Sequence, residues 1–265
     1  MELKISEINM NCKAQDRELA GFLFDKLKGE DIIIFTEIVT GKMAVNFLNQ
    51  FNNDFHLYAS HKNKNDEGNG NQVVIAVKKK ISVLTQMEFC SGMEKHPDFL
   101  QLTVEIEGKE YYIIGVRILA CDDYTDRLPY FACFNYYLQT LKDKNVIVLG
   151  DFNNGFVRSD IGDYKNKDNF CYNYRLIEIL LGNNFKMITP KNKYSWGLQY
   201  DGEKFQYGYV ADDHLILSRH LNEKVKIDYD WSFADENKNI YCKKIPNGFP
   251  DHAILRAKIN LSSKG

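Results

Sequence analysis

The alternation of apolar and polar positions divides the chain into many short strands and a few amphipathic helices. Leu3, Ile5 and Ile8 predict a strand over residues 3–9 with a slip near its end, where Asn9 and Asn11 lie. Leu19, Phe22, Leu23 and Leu27 recur at helical spacing between Asp16, a capping residue, and Gly29, a stop. Residues 31–37 hold an unbroken Ile-Ile-Ile-Phe run, which suits a strand buried on both faces, and they finish on the carboxylate of Glu37. A second helical segment through Val45, Leu48 and Phe51 leads to strands over residues 55–59 and 73–77, separated by a polar loop from His61 to Asn71. Residues 99–106 and 111–119 read as a hairpin turning at Gly108-Lys109, and helical spacing returns from Tyr124 to Leu141.

The stretch that organises the chain is Asn-Val-Ile-Val-Leu-Gly-Asp-Phe-Asn-Asn-Gly, residues 145–155. Its apolar run stops at Gly150, so Asp151 and Asn153 are expected to project from the carboxyl end of a buried strand, where sheets present their chemistry. Asp151 can bind a cation or hold a water, and Asn153 offers an amide of fixed direction; the same residues also suit an Asx-type turn. A polar segment from Asn154 to Cys171 follows as a candidate rim or lid, then a helix over 174–181. Tyr194 to Trp196 could begin a strand, and residues 209–218 form one that carries Asp212, Asp213 and His214. Pro250 fixes the approach to Asp251-His252, and a last strand covers 253–259.

Composition narrows the function classes. With 265 residues, 44% of them hydrophobic, and no linker-like stretch, a single domain is expected. Six cysteines at irregular spacing, without a CxxC pair, argue against a zinc site and suit reduced thiols. No charged-then-apolar leader and no stretch long enough to span a bilayer is present, which predicts a cytoplasmic protein with no membrane partner. The net charge of −2 provides no global positive field, so contact with phosphates must be local. Lys62, Lys64 and Lys78 to Lys80 offer one basic edge and Arg158, Lys165 and Lys167 another, although both equally serve solubility. Arg117, following Ile113, Ile114 and Val116, places a permanent cation in an apolar strand and requires a carboxylate or a bound phosphate to face it.

Five short motifs fall in order along the chain: Ile-Asn9-Met-Asn11, Phe-Thr-Glu37, Gly150-Asp151-Phe-Asn153, Asp213-His-Leu-Ile-Leu-Ser218 and Asp251-His252. Together they resemble the endonuclease/exonuclease/phosphatase superfamily, the DNase I-like group. The resemblance implies an α+β fold, a four-layer α/β/β/α sandwich of two mixed β-sheets packed face to face with helices outside. It also implies phosphoester hydrolysis dependent on Mg2+ or Mn2+, with Glu37 as principal metal ligand aided by Asn9 and Asp251. Asp151, oriented by Asn153, would hold or deprotonate the attacking water, and His252, held by Asp213, would move a proton or stabilise charge on the phosphoryl group. Asn11 and Arg117 would contact substrate.

Three positions depart from the family pattern. Arg117 stands where the family carries His or Tyr, which suits an electrostatic role because arginine does not exchange protons near neutral pH. Pro250 replaces a Ser, and Asp212 beside Asp213 leaves open which carboxylate partners His252; His214 is read as structural. A nuclease acting on DNA, or on RNA, is the leading expectation. The alternatives are a phosphatase or phosphodiesterase acting on a small phosphorylated molecule, and a noncatalytic binding module on the same fold.

Overall fold

The computed structural model describes residues 1–14, 17–39, 41–61, 71–88, 96–119, 127–157, 177–190, 194–197, 199–200, 205–206, 210–237 and 250–261. In chain order its elements are β1 (Glu2–Asn9), α1 (Arg17–Leu27), β2 (Ile32–Val39), α2 (Lys42–Leu48), β3 (Phe55–Ala59), β4 (Asn71–Lys78), β5 (Ser82–Glu88), β6 (Asp98–Ile106), β7 (Lys109–Arg117), α3 (Leu128–Thr140), β8 (Val146–Val157), β9 (Phe185–Ile188), β10 (Gln199–Tyr200), β11 (Phe205–Gln206), β12 (Val210–Ser218), β13 (Val225–Asp230) and β14 (Ile254–Asn260). Short helical segments cover residues 177–181 and Ser232–Glu236.

Two six-stranded mixed sheets result, ordered β13-β14-β1-β2-β4-β3 and β5-β6-β7-β8-β12-β9. Among the described residues only the β1–β2 and β7–β8 pairs are parallel, and they lie inside their sheets. The sheets pack face to face because their central strands are apolar on both sides. Ile147 and Leu149 of β8 join the core shared with the first sheet, whereas Val146 and Val148 face outward onto Phe131, Phe134 and Leu138 of α3. Phe35 of β2 faces the other way, edge-on against Phe47 and Phe51 at ring distances of 5.7 and 5.3 Å. The molecule is therefore the α+β, four-layer sandwich that the motifs imply. No helix among the described residues is long and apolar enough to cross a membrane.

Two glycines permit close approach. A Cβ on Gly115 would stand 2.6 Å from Val73 Cγ1 and 2.8 Å from Ile34 Cγ2 on the opposing sheet. A Cβ on Gly150 would stand 1.8 Å from the carbonyl oxygen of Val116, its register partner on β7. The hairpin between β6 and β7 turns through Glu107 and Gly108, both at positive φ (51° and 71°), the geometry that a tight two-residue turn requires.

The expected elements are present, with instructive differences. β8 does not end at Gly150 but continues to Val157, with the regular ladder to β12 interrupted between Asp151 and Phe156. The edge strand β5 escapes a hydrophobic reading because most of its side chains are exposed; β9 and β13 are short alternating strands. The predicted cap Asp16, most of the 61–71 loop and residues 158–176 lie outside the described residues. Lys78 to Lys80 lie at the end of the first sheet where β2 begins, five residues of strand, roughly 17 Å, from Glu37. There Lys80 pairs with Asp31 at 2.7 Å and Lys78 with Asp54 at 3.7 Å, so these three lysines are remote from the motif residues, while Lys62 and Lys64 lie outside the described residues.

The two glycines yield a graded prediction. Gly150→Ala meets a backbone carbonyl that cannot repack and is expected to destabilise the fold by about 3 kcal/mol or more, while Gly115→Ala meets side-chain tips and costs about 1–3 kcal/mol. Equilibrium urea unfolding of both variants measures the order, which reverses if the Val116 carbonyl is not the obstacle.

Candidate active site

Strand register draws four charged residues into one line across the second sheet. Asp98 is opposite Arg117, Arg117 opposite Asp151, and Asp151 opposite Asp213. Register partners share a face of a sheet, and here that face looks into the crevice between the sheets, since Arg117 reaches Glu37 of β2 and Asp151 reaches Asn9 of β1. All four are buried, so each needs a partner or must surrender its charge.

Asp151 is fixed by three amide donors. Asn9 Nδ2 donates to its Oδ2 at 2.8 Å, Asn153 Nδ2 to the same oxygen at 3.0 Å, and the Asn153 backbone N–H to Oδ1 at 2.8 Å. Asn153 reaches back because its φ of 48° is left-handed, a conformation Asn tolerates, and Arg127 Nη1 anchors its carbonyl. Its Nδ2 also donates to the Ile118 carbonyl at 2.7 Å. Burial and the nearby charge of Asp213 push the Asp151 carboxyl up to about 8, with His252 acting against them.

His252 Nδ1 lies 2.9 Å from Asp213 Oδ2, which answers the question of which carboxylate is its partner. Between Ala211 and Asp213 β12 advances two residues while β8 advances five, from Phe156 to Asp151, and beside this irregularity the buried Ser195 hydroxyl clamps β12, accepting from the Asp212 and Asp213 backbone N–H groups at 2.9 and 3.1 Å. Burial alone would lower the pKa of His252; the charge and hydrogen bond of Asp213, helped by Asp151 and Asp251, outweigh it and hold the ring well above the ordinary histidine value. His214 has the opposite fate. Fully buried, with Nδ1 2.9 Å from Thr189 Oγ1 and its ring 5.6 Å from that of Phe152, it falls to about 4 through desolvation, as a structural residue should.

Glu37 reaches the crevice through a second bulge. From Phe35 to Ile38 β2 advances three residues while β4 advances two, and Glu37 takes a φ of 52°. Its Oε1 lies 2.8 Å from Arg117 Nε, and Arg117 Nη1 donates to Asp98 Oδ2 at 3.0 Å, so the cation predicted to need an anion has two. Cys12 Sγ is 3.8 Å from Glu37 Oε2. At the rim, Asn11 Nδ2 donates to Asp251 Oδ1 at 3.2 Å and Trp196 Nε1 to Asp251 Oδ2 at 3.0 Å. Glu37, Asn9 and Asp251 are hard oxygen donors of the kind Mg2+ and Mn2+ accept. Among the described residues no three of His, Cys, Asp or Glu converge to chelate an ion by themselves, so a divalent cation here would retain much of its water.

Sequence reasoning missed Glu7. It lies on β1 two residues before Asn9, on the same inward face, fully buried, with Oε1 accepting from Thr36 Oγ1 at 2.9 Å. Burial, then the charges of Asp213 and Asp151, raise its carboxyl well above the usual value. The available signal was a carboxyl in the inward series Leu3, Ile5, Glu7, Asn9. Asp98, Ser195 and Trp196 carried no signal without the register.

No protein-family model matches the chain, and no curated protein matches its sequence. Solved structures do match. The chain superposes on an AP endonuclease from Archaeoglobus fulgidus with TM-score 0.65 and 15% identity, over 98% of this chain and 100% of that one. It superposes on the 3′ phosphatase NExo from Neisseria, bound to a product DNA hairpin, with TM-score 0.65 and 16% identity over 97% and 99%. Truncated TDP2 from Caenorhabditis elegans gives 0.62 and 16% over 98% and 97%. The chain shares the fold of these solved structures, the four-layer sandwich that the motifs imply.

The two buried histidines should titrate apart. In an NMR pH titration His252 keeps its proton well past pH 6.5 and His214 stays neutral down to about pH 4. Because the folded pKa of His252 is raised, its stabilisation is fully present below about 6.5 and is lost as pH rises through the folded value; Asp213→Asn removes that alkaline loss and lowers the titration. His214 acts in the other direction, since its lowered pKa withdraws stability as pH falls from 6.5 to about 4.

Proposed function

We propose that the chain is a divalent-metal-dependent phosphodiester hydrolase acting on nucleic acid, DNA in preference to RNA. The observation that carries this reading is the pairing of two differently charged devices in register: Asp151, held by three amide donors, beside the Asp213–His252 dyad, at the same end of the crevice as Glu37. The DNA-bound state of the Neisseria 3′ phosphatase supports the choice of polymer.

The residues divide the chemistry between them. Asp151 positions a water through one carboxylate oxygen and, when ionised, accepts its proton, while Asn153 and Asn9 prevent the carboxylate from rotating away. His252 has Nδ1 committed to Asp213, so its Nε2–H is the donor for charge building on the phosphoryl oxygens. Glu37, with Asn9 and Asp251, would hold Mg2+ or Mn2+, which when bound supplies positive charge against the phosphate and favours ionised neighbouring carboxylates. Asn11 stands at the rim beside Asp251, in reach of a substrate oxygen. Arg117, paired with Glu37 and Asp98, would offset phosphate charge through its field.

A second reading, hydrolysis of a small phosphorylated molecule, is favoured by the remoteness of Lys78 to Lys80, which withdraws these three cations from a polyanion bound at the site. Hydrolysis of labelled DNA, RNA and a panel of phosphomonoesters, with Mg2+, Mn2+ or EDTA, separates the two. Polymer cleavage lost in EDTA is expected, with Glu37→Ala abolishing it and His252→Ala and Asp151→Asn each lowering kcat about 10²–10⁴-fold. Phosphate release from small substrates alone would replace the nuclease reading with the second.

A further inference from the structure

Arg117 holds half of Glu37 before any metal arrives. Its side chain is 8% exposed, with Nε in an ion-pair contact 2.8 Å from Glu37 Oε1 that lacks hydrogen-bond alignment, and with Nη1 donating to Asp98 Oδ2 at 3.0 Å. The Asp98 side chain is 2% exposed, so water cannot replace the guanidinium that neutralises it, and the guanidinium is charged at every accessible pH. The backbone enforces the pairing, because Asp98 and Arg117 are register partners on β6 and β7.

We propose that Arg117 is an internal counter-cation that occupies Glu37 Oε1 and thereby weakens divalent-metal binding by the substrate-free protein. This rests on the reading of Glu37 as the metal ligand. An incoming ion has two routes. It binds through Oε2 alone and sits beside a permanent positive charge, or it displaces the guanidinium and separates a buried ion pair; both are unfavourable in a low-dielectric crevice. The Cys12 thiol, 3.8 Å from Oε2, is a weak donor and opposes neither route. Arg117 is thus a positioning residue that sets how firmly the metal is held, and the direction of its effect separates this role from that of a structural staple. Loss of a staple loosens the site and weakens metal binding, whereas loss of a competing cation strengthens it.

The test uses Mn2+ alone, titrated by calorimetry and by electron paramagnetic resonance of the free ion, against the full chain. Wild type is compared with Glu37→Gln and with the double variant Asp98→Asn/Arg117→Gln, which leaves net charge unchanged and frees Oε1. The expected result is Mn2+ bound roughly tenfold more tightly, or better, by the double variant, and not bound by Glu37→Gln. Equal or weaker binding by the folded double variant overturns the proposal and leaves the metal-dependent reading standing. Mn2+ binding that Glu37→Gln leaves unchanged overturns the assignment of Glu37 and the proposal together, and absence of Mn2+ binding by wild type and double variant alike does the same. Should thermal melting show the double variant unfolded, Arg117→Lys replaces it: one ammonium cannot span both carboxylates, so affinity rises by a smaller factor, and an unchanged affinity overturns the proposal.

Discussion

Charge buried between two apolar sheets is the constraint from which the site follows. Five acids, Glu7, Glu37, Asp98, Asp151 and Asp213, converge on one end of the crevice, all but Glu37 almost fully removed from water. Isolated buried carboxylates are prohibitive, so the structure meets the cost in separate ways. Asp98 and Glu37 share one guanidinium; Asp213 takes the His252 imidazole; the carboxyls of Asp151 and Glu7 are raised by burial and by the neighbouring charge of Asp213. These solutions are interdependent, because the Asp213 charge that holds a proton on His252 also raises Asp151 and Glu7. The arrangement is a coupled set of protonation states more than a collection of ligands.

Much of this was legible in the chain. The apolar run before Gly150 located the strand that carries Asp151, and the apolar strand around Arg117 demanded an anionic partner, which Glu37 and Asp98 supply. The fold followed from ordered motifs and alternation, since both report inward faces. What stayed hidden depended on irregular backbone. Alternation places Glu37 on the same face as Phe35, beneath the helices, and only an extra residue in β2 turns it inward. Likewise nothing in Asp212-Asp213 says which one faces the crevice until the extra residues of β8 opposite them and the Ser195 clamp are seen. Strand β5 went unseen because an exposed edge carries no hydrophobic pattern to read.

The two Asp-His pairs make the point chemically. Asp213-His214 and Asp251-His252 look equivalent in sequence, yet neighbours along a strand face opposite ways, so Asp213 cannot serve His214 and serves His252 instead. One histidine is driven neutral in the outer core and the other is held charged in the crevice. Adjacency in the chain and partnership in space are here mutually exclusive.

The extra residue in β2 has a bearing on how such a protein persists. Deleting it would restore an unbroken ladder between β2 and β4 and relieve a left-handed glutamate, changes that favour the folded state while turning Glu37 away from Arg117. A lineage screened only for robustness would discard the irregularity. The irregularity serves the crevice and not the ladder, so libraries sorted by thermal tolerance alone should drift toward a sturdier sandwich with an empty mouth.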